Sequence, residues 1–413
     1  MTVEPRRRLL FLLPFPPDPG GAHGAARMTG QLLHGLSGRH DVAAVYLRAG
    51  EEPVIDSALS DRLALAVEVE RPSLHARGRG RVAARRALGL FAGRPLWATD
   101  WRVPAFEARL REVGQAWRPD VVQAELHVMG QYLPALAHPA PPTVLVEHDP
   151  GAAAATDLAG WERGLRRVGR RVDAAAWRRF ERRVLVSAGT VVAFTEADRK
   201  ALTALAPGAR VVRIAPGISM PAQPSDTVGA DPPRVLFLGS FVHPPNVDAA
   251  TRLARAIFPI VRGRVPAAIL EIVGDGPPRE VRALAGDGVV VTGRVPDAQP
   301  YVDRAAVVAA PLRLGGGMRV KVLEALAAGK AVVATPRALA GLELVPGTHA
   351  LVGESDAELA DALTALLEDA DMRRRLGGAA RAWATEHLGW EHAVAAYEEL
   401  YRALLSGRGA GRA

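Results

Sequence analysis

The feature that most constrains this chain is a series of short runs that are apolar at nearly every position instead of every second one. In the first half these are "LLFLL" (9–13), "DVAAVYL" (41–47), "DVVQA" (120–124), "PTVLVE" (142–147), "TVVAF" (190–194) and "RVVRIA" (210–215). A strand with one solvated face alternates, whereas a strand apolar throughout has to be covered on both faces, as in a parallel sheet. Helix-length stretches separate the runs, so the predicted class is doubly wound α/β.

Residues 216–233, "PGISMPAQPSDTVGADPP", lack apolar periodicity and read as a linker. The pattern then restarts with "RVLFLG" (234–239), "AILEIVG" (268–274), "VVVTG" (289–293), "AAVVAAPL" (305–312) and "AVVAT" (331–335). The expected organisation is a Rossmann-like domain over 1–216, a linker over 217–233, a second Rossmann-like domain over 234–388 and a C-terminal helix over 389–413. In that helix Trp390, Val394, Tyr397 and Leu400 form an apolar stripe suited to packing back on the first domain. A length of 413 residues agrees with two domains of about 100–200 residues each.

Composition excludes several classes. With 49% hydrophobic and 23% charged residues the chain is globular, and no apolar run reaches the roughly 18 residues of a membrane span. The N-terminal apolar run is short and interrupted by proline, so it reads as a buried strand and not as a signal peptide. The chain has no cysteine, which excludes disulfides and thiolate metal sites and fits a cytoplasmic protein.

The net charge of +8 comes from arginine, since Lys200, Lys321 and Lys330 are the only lysines. Two segments, "SLHARGRGRVAARRALGLFAGRPLW" (73–97) and "WERGLRRVGRRVDAAAWRRFERRVLV" (161–186), alternate arginine with apolar positions. Such a pattern suits a solvated helix face or peripheral contact with an acidic membrane. Neither carries the aromatic interleaving of a nucleic-acid surface, so no nucleic-acid partner is expected.

The chemistry concentrates in "PLRLGGGMRVKVLEALAAGKAVVAT" (311–335), where a strand runs into Gly315, Gly316 and Gly317 and then into a helix predicted from about Met318 to Gly329. Such a turn offers free backbone N–H groups and a helix dipole to an anion. Lys321 and Glu324, three residues apart, share one face of the helix, and Arg319 lies in its first turn. They suit phosphate and sugar hydroxyls respectively, or else form an ordinary surface ion pair worth roughly 0.2–0.5 kcal/mol.

This stretch resembles the donor-site signature of family 4 retaining glycosyltransferases, which have the GT-B fold. "VLFLGSFVHPPNVDAA" (235–250), "LEIVGDGPP" (270–278) and "VVVTGRVPDAQPYVDRAAVVAAPL" (289–312) resemble the same family in order and spacing. The resemblance implies two facing Rossmann-like domains with a cleft between them. It implies transfer of a sugar, with retention, from a nucleotide-diphosphate-sugar donor to a natural-product, saccharide or lipid acceptor, without cofactor or metal.

It also implies site residues. Glu324 is similar to the glutamate that binds the donor ribose, while Gly316 stands where relatives carry a sugar-facing glutamate. Where relatives place an Arg and a Lys after the first strand of the second domain, this chain has Gly239, Ser240 and then "HPPN" ending at Asn246. The diphosphate contacts are therefore expected from Arg319 and Lys321, with the N–H groups of Gly315 to Gly317. Arg294 and the Val295 backbone resemble the loop beside the nucleobase.

In the first domain the loop "PFPPDPGGAHGAARMTG" (14–30) lacks the P-loop pattern. It brings Gly20, Gly21 and Arg27 to the expected cleft. His148 in "VLVEHDPG" is similar to a functional histidine of the family that contacts donor sugar or acceptor; Glu147 and Glu125 end their strands nearby. Glu196 and Asp198 suit helix capping. A nucleotide-sugar epimerase of the same fold and a non-catalytic nucleotide-sugar-binding protein are the alternative readings.

Overall fold

The computed structural model describes residues 5–20, 24–72, 79–136, 139–161, 164–226, 228–314 and 319–407. Gly21 and the turn from Gly315 to Gly317 lie outside them. The chain forms two compact units, Met1–Gly217 with Trp390–Ala413, and Ile218–Gly389.

The first unit holds a sheet of seven parallel strands among the described residues: β1 (Arg8–Leu13), β2 (Asp41–Arg48), β3 (Leu65–Glu70), β4 (Val121–Glu125), β5 (Thr143–Glu147), β6 (Thr190–Ala193) and β7 (Val211–Arg213), in the order β3-β2-β1-β4-β5-β6-β7. Leu9 to Leu13 and Val42 to Leu47 are buried at every position, as their unbroken apolarity requires. Strand β3 was not foreseen. It lies at the sheet edge and alternates, "LAVEVE" with only Val67 and Val69 buried, so it lacks the run that marks its neighbours.

Among the described residues the second unit holds six parallel strands: β8 (Arg234–Leu238), β9 (Ile269–Val273), β10 (Val289–Gly293), β11 (Val307–Ala310), β12 (Val332–Ala334) and β13 (Leu351–Val352), in the order β10-β9-β8-β11-β12-β13. The two-residue edge strand β13 is also absent from the sequence reading, being too short to carry a periodicity. The helix expected from Met318 spans Val320–Ala327, with Leu323, Leu326 and Ala327 fully buried.

Residues 218–233, read as linker, are laid on the second unit. Ile218 is buried in its core, Ser225 N donates to Ala328 O at 2.9 Å, and Arg381 Nη2 donates to Pro221 O at 2.7 Å. A segment without apolar periodicity is thus held by polar contacts to its backbone. The C-terminal helix, Trp390–Leu405, returns to the first unit against the helix Gly24–Ser37. A Cβ at Gly35 would lie 2.7 Å from Val394 Cγ2, so glycine permits the close approach. Glu398 accepts from Arg39 at 2.9 Å and His40 at 3.1 Å beside it.

Lys330 is fully buried, and its ammonium donates to the carbonyls of Asp226, Asp303 (2.7 Å) and Ala305 (2.8 Å). Burial pushes this amine down to about 8, against the pull of Asp226 and Asp303. Replacing Lys330 by Met would leave three buried carbonyls without their donor and should lower stability by about 2–5 kcal/mol. Thermal unfolding of the variant, with a drop of several degrees in the transition of the second unit, is the measurement.

Candidate active site

In a doubly wound sheet, ligands sit beyond the carboxyl ends of the strands where the strand order reverses. In the second sheet that point lies between β8 and β11, and in the first between β1 and β4. The candidate residues can be placed against these two positions.

At the second switch point the loop after β8 carries Gly239, Ser240 and Asn246. Asn246 Nδ2 donates to Ser240 O at 2.8 Å, which closes the loop onto the helix Pro244–Arg252. The loop after β9 meets it directly: Gly274, at φ +156°, lies where a Cβ would stand 1.7 Å from Gly239 O. Only glycine fits there. Arg294 and Val295 follow β10 on the same edge, with Arg294 exposed and Val295 partly buried.

The exit of β11 is fixed residue by residue. Arg252, 8% exposed, donates to Pro311 O at 3.1 Å, to Glu354 O at 2.6 Å and to Asp356 at 2.6 Å. Thr335 Oγ1 donates to Leu312 O at 2.6 Å, Arg313 pairs with Asp248 at 2.6 Å, and Arg319 Nη2 donates to Leu314 O at 3.2 Å. The approach to the glycine turn is therefore held by side-chain bonds, and Arg319 supplies one of them to Leu314. Arg252 and Thr335 were not singled out in the sequence. An arginine inside an amphipathic helix and a threonine at a strand end carry no local mark of partners 23 to 104 residues away.

Lys321 and Glu324 form an ion pair at 3.0 Å, both side chains partly exposed. Without ligand the pair is thus satisfied internally.

At the first switch point, Gly20 N donates to Asp18 at 3.0 Å after β1, and Arg27 is half-buried on the following helix. The ends of β4 and β5 carry two crossed pairs. His148 Nε2 donates to Glu125 Oε2 at 2.8 Å, and His127 Nδ1 donates to Glu147 Oε2 at 2.8 Å. Between Glu125 and His127 the chain turns at Leu126, held at φ 68° and ψ 143°, a conformation that strains any residue with a Cβ.

Behind Glu125 runs a buried polar chain: Tyr401 donates to Gln123 at 2.6 Å, and Gln123 donates to Glu125 at 2.6 Å. Burial, and then the charge of Glu125, hold the Tyr401 hydroxyl well above its usual range, so it remains a donor. Glu196 and Asp198, by contrast, belong to a helix start: Thr195 Oγ1 accepts from Asp198 N at 3.0 Å, and Glu196 pairs with Arg199 at 2.7 Å.

His127 and Glu181 were missed in the sequence, because they, Trp97 and Trp177 converge from three separate segments. His127 is buried with its ring edge-on to Trp97 (5.1 Å) and Trp177 (4.8 Å). Glu181 accepts from Gly151 N at 2.7 Å and Ala152 N at 3.0 Å, holding the start of the helix Gly151–Trp161. Ligand atoms of His127, Glu147 and Glu181 lie within 4.8 Å of one another, close enough to share a cation. Burial alone would lower His127, but the Glu147 carboxylate outweighs it and lifts the imidazole to about 9. Burial and the Glu147 charge push Glu181 up to about 7.

Two family models match the chain: "Glycosyl transferase 4-like domain" over residues 23–217 and "Glycosyl transferases group 1" over residues 232–369. Together they run through both units, and the chain belongs to the glycosyltransferases of the GT-B fold. A Mycobacterium tuberculosis GDP-mannose-dependent alpha-(1-6)-phosphatidylinositol monomannoside mannosyltransferase is 34% identical over 164 residues. The match covers 35% of this chain and 42% of the relative's length.

Among solved structures, sucrose-phosphate synthase from Thermosynechococcus elongatus aligns over 97% of this chain and all of its own, with a TM-score of 0.74 at 18% identity. Anabaena HepE in complex with UDP-glucose aligns over 96% of this chain and all of its own, at 0.64 and 15%. WaaG, a glycosyltransferase of lipopolysaccharide biosynthesis, does so over 97% of this chain and all of its own, at 0.65 and 17%. At these identities the structural likeness concerns the fold.

Two outcomes are expected of this site. Glu181 binds more protons folded than unfolded between its ordinary value of 4.5 and about 7, and His127 does so between 6.5 and about 9. Their stabilisation is full at low pH and is lost as pH rises through those windows, each by up to about 1.4 kcal/mol per pH unit. Melting temperature followed from pH 5 to 9 should fall, and Glu181→Gln should flatten the fall below pH 7. In the second unit, Gly274→Ala should push the Gly239 loop aside and lower stability by about 1–3 kcal/mol, measured by denaturant unfolding.

Proposed function

We propose that the chain transfers a sugar, with retention, from a nucleotide-diphosphate-sugar held by the second unit to an acceptor recognised by the first. The observation that carries the reading is the concentration of Arg319, Lys321 and Glu324 at the switch point of a sheet whose loop exit is pinned by Arg252, Thr335 and Arg313. A phosphate-binding device needs donors that do not reorganise during reaction, and the segment Pro311 to Arg313 that leads into this loop is held before any ligand arrives.

The internal Lys321–Glu324 pair is compatible with this role because it is weak. A half-exposed pair is worth about 0.2–1 kcal/mol, whereas each charged hydrogen bond to a phosphate is worth about 1.5–3 kcal/mol. A donor therefore displaces the pair, leaving Lys321 on the diphosphate and Glu324 on the ribose hydroxyls. Arg319 and Lys321 then stabilise the negative charge on the departing diphosphate as its bond to the anomeric carbon breaks, in the place of a divalent cation. Gly315 to Gly317 lie outside the described residues, and the reading gives their N–H groups the same diphosphate. Arg294 and the Val295 backbone take the nucleobase, and the loop of Gly239, Ser240 and Asn246 closes on the donor.

In the first unit His148 is the group offered to donor sugar or acceptor. Glu125 keeps its ring in one orientation, and Gln123 and Tyr401 hold Glu125. Gly20 on the neighbouring loop and Arg27 on the helix after it are offered to the same ligands, as is Gly21, which lies outside the described residues. The mannosyltransferase relative is named for GDP-mannose and a phosphatidylinositol mannoside, and HepE for UDP-glucose. On this reading, donor and acceptor of the present chain belong to those broad classes.

The test is thermal stabilisation by a panel of UDP-, GDP-, ADP- and dTDP-sugars, followed by turnover of the best donor. Lys321→Ala should weaken nucleotide-diphosphate affinity at least tenfold, and His148→Ala should lower kcat more than donor affinity. Unchanged affinity in Lys321→Ala would remove the diphosphate assignment. Donor incubated alone and returned as its epimer would replace transfer by epimerisation.

A further inference from the structure

The more deeply buried of the two crossed pairs in the first unit, His127 with Glu147, has no part in the transfer chemistry above. Neither has Glu181, which meets it from the helix Gly164–Ser187. One ligand atom from each of the three lies within 4.8 Å of the other two. The side chains of His127 and Glu147 are 1% and 0% exposed, and Glu181 is fully buried as well.

Charge in this cluster does not balance. Two carboxylates share one imidazole, Asp149 adds a third negative charge nearby, and among the described residues no arginine or lysine pairs with Glu147 or Glu181. A buried carboxylate without a partner is costly, so the cluster has to hold either protons or a cation. Its capacity to donate electron pairs is also unused. Glu147 Oε1 and His127 Nε2 are buried without a hydrogen-bond partner among the described residues. Each Glu181 oxygen accepts one backbone N–H, from Gly151 at 2.7 Å and from Ala152 at 3.0 Å, which leaves a lone pair on each.

The surroundings are built around these atoms. A Cβ at Gly151 would stand 2.9 Å from Trp177 and 3.2 Å from His127 Cε1, so the imidazole lies directly against the backbone that Glu181 holds. Trp97 and Trp177 close on the ring edge-on, at 5.1 and 4.8 Å. This chemistry selects among cations. An imidazole nitrogen with carboxylate oxygens suits zinc, whose shell is tetrahedral, whereas magnesium demands octahedral geometry and gives up its waters reluctantly. One nitrogen of His127, two oxygens of Glu147 and one of Glu181 supply four donors. Two carboxylates with a neutral imidazole also balance the charge of one divalent ion.

We propose that His127, Glu147 and Glu181 bind one zinc ion, which ties the helix Gly164–Ser187 to the ends of β4 and β5. The ion replaces the proton that His127 Nδ1 gives to Glu147 Oε2. It leaves no open position for a substrate and acts on structure, by fixing the strand end from which His148 leaves. No spaced pair of histidines marks the site in the sequence, because its ligands come from three elements. Metal binding needs neither donor nor acceptor, so its test is independent of the transferase reading. The pH dependence of melting described above belongs to the chain stripped of metal, in which protons hold the same groups.

The experiment compares the full chain equilibrated with zinc chloride, equilibrated with magnesium chloride, or stripped with EDTA, near neutral pH. Metal content is measured by mass spectrometry, stability by thermal unfolding, and the neighbours of bound zinc by X-ray absorption. Expected are one zinc per chain, a melting temperature several degrees above that of the stripped chain, no such rise with magnesium, and a single imidazole among nitrogen and oxygen neighbours. His127→Gln and Glu181→Gln should each lose the zinc, while His392→Gln, at an exposed position, keeps it. Should the buried variants fail to fold, the absorption spectrum of the unaltered chain still decides, because two imidazoles or none overturns the proposal. Zinc far below one per chain after equilibration also overturns it, as do zinc retained by both buried variants, zinc lost in His392→Gln, and an equal rise with magnesium.

Discussion

A parallel strand pair cannot be joined by a tight turn, so the chain must cross a face of the sheet before each new strand begins. Both sheets of this protein are parallel among the described strands, and every strand exit therefore falls on one edge. That constraint covers both faces with helices and demands strands apolar on both sides. It also gathers loops distant in sequence at the reversals between β1 and β4 and between β8 and β11. The candidate chemistry follows from this edge, and no single motif contains it.

Each edge is stiffened by a different means. In the second unit, buried Arg252 and Thr335 hold carbonyls of the segment leaving β11, and Gly274 allows the loops after β8 and β9 to touch. In the first, the crossed pairs Glu125–His148 and His127–Glu147 hold the ends of β4 and β5 against each other. The strained Leu126 between them lets adjacent parts of one chain serve both pairs. A buried ion pair adds little net stability once desolvation is counted, but removing one partner is costly. These pairs are better understood as fixing geometry than as sources of stability.

Much of the fold was legible because the two-sided burial of central strands leaves an unbroken apolar run in the sequence. The exceptions show the limit of that signal. Strand β3 alternates because it is an edge, and β13 is two residues long. The candidate residues Arg319 to Glu324 stood out in the sequence because they lie within one contiguous stretch. Gln123, His127, Glu181, Arg252 and Tyr401 were not, since each has its meaning through a partner in another segment, as in the contact between Tyr401 and Gln123, 278 residues apart.

The sequence by itself determined the α/β class, the parallel character of the sheets, the places where strands give way to glycine-rich turns and the motifs of a glycosyltransferase, because all of these are local patterns of polarity and glycine. Only the tertiary structure decided which charges are paired. It closed Lys321 onto Glu324, gave His148 to Glu125 and His127 to Glu147, and set Glu181 beside the second of these pairs. The physical reason is that the energy of a charge depends on burial and on neighbours a few ångströms away, and folding chooses those neighbours without regard to their separation along the chain.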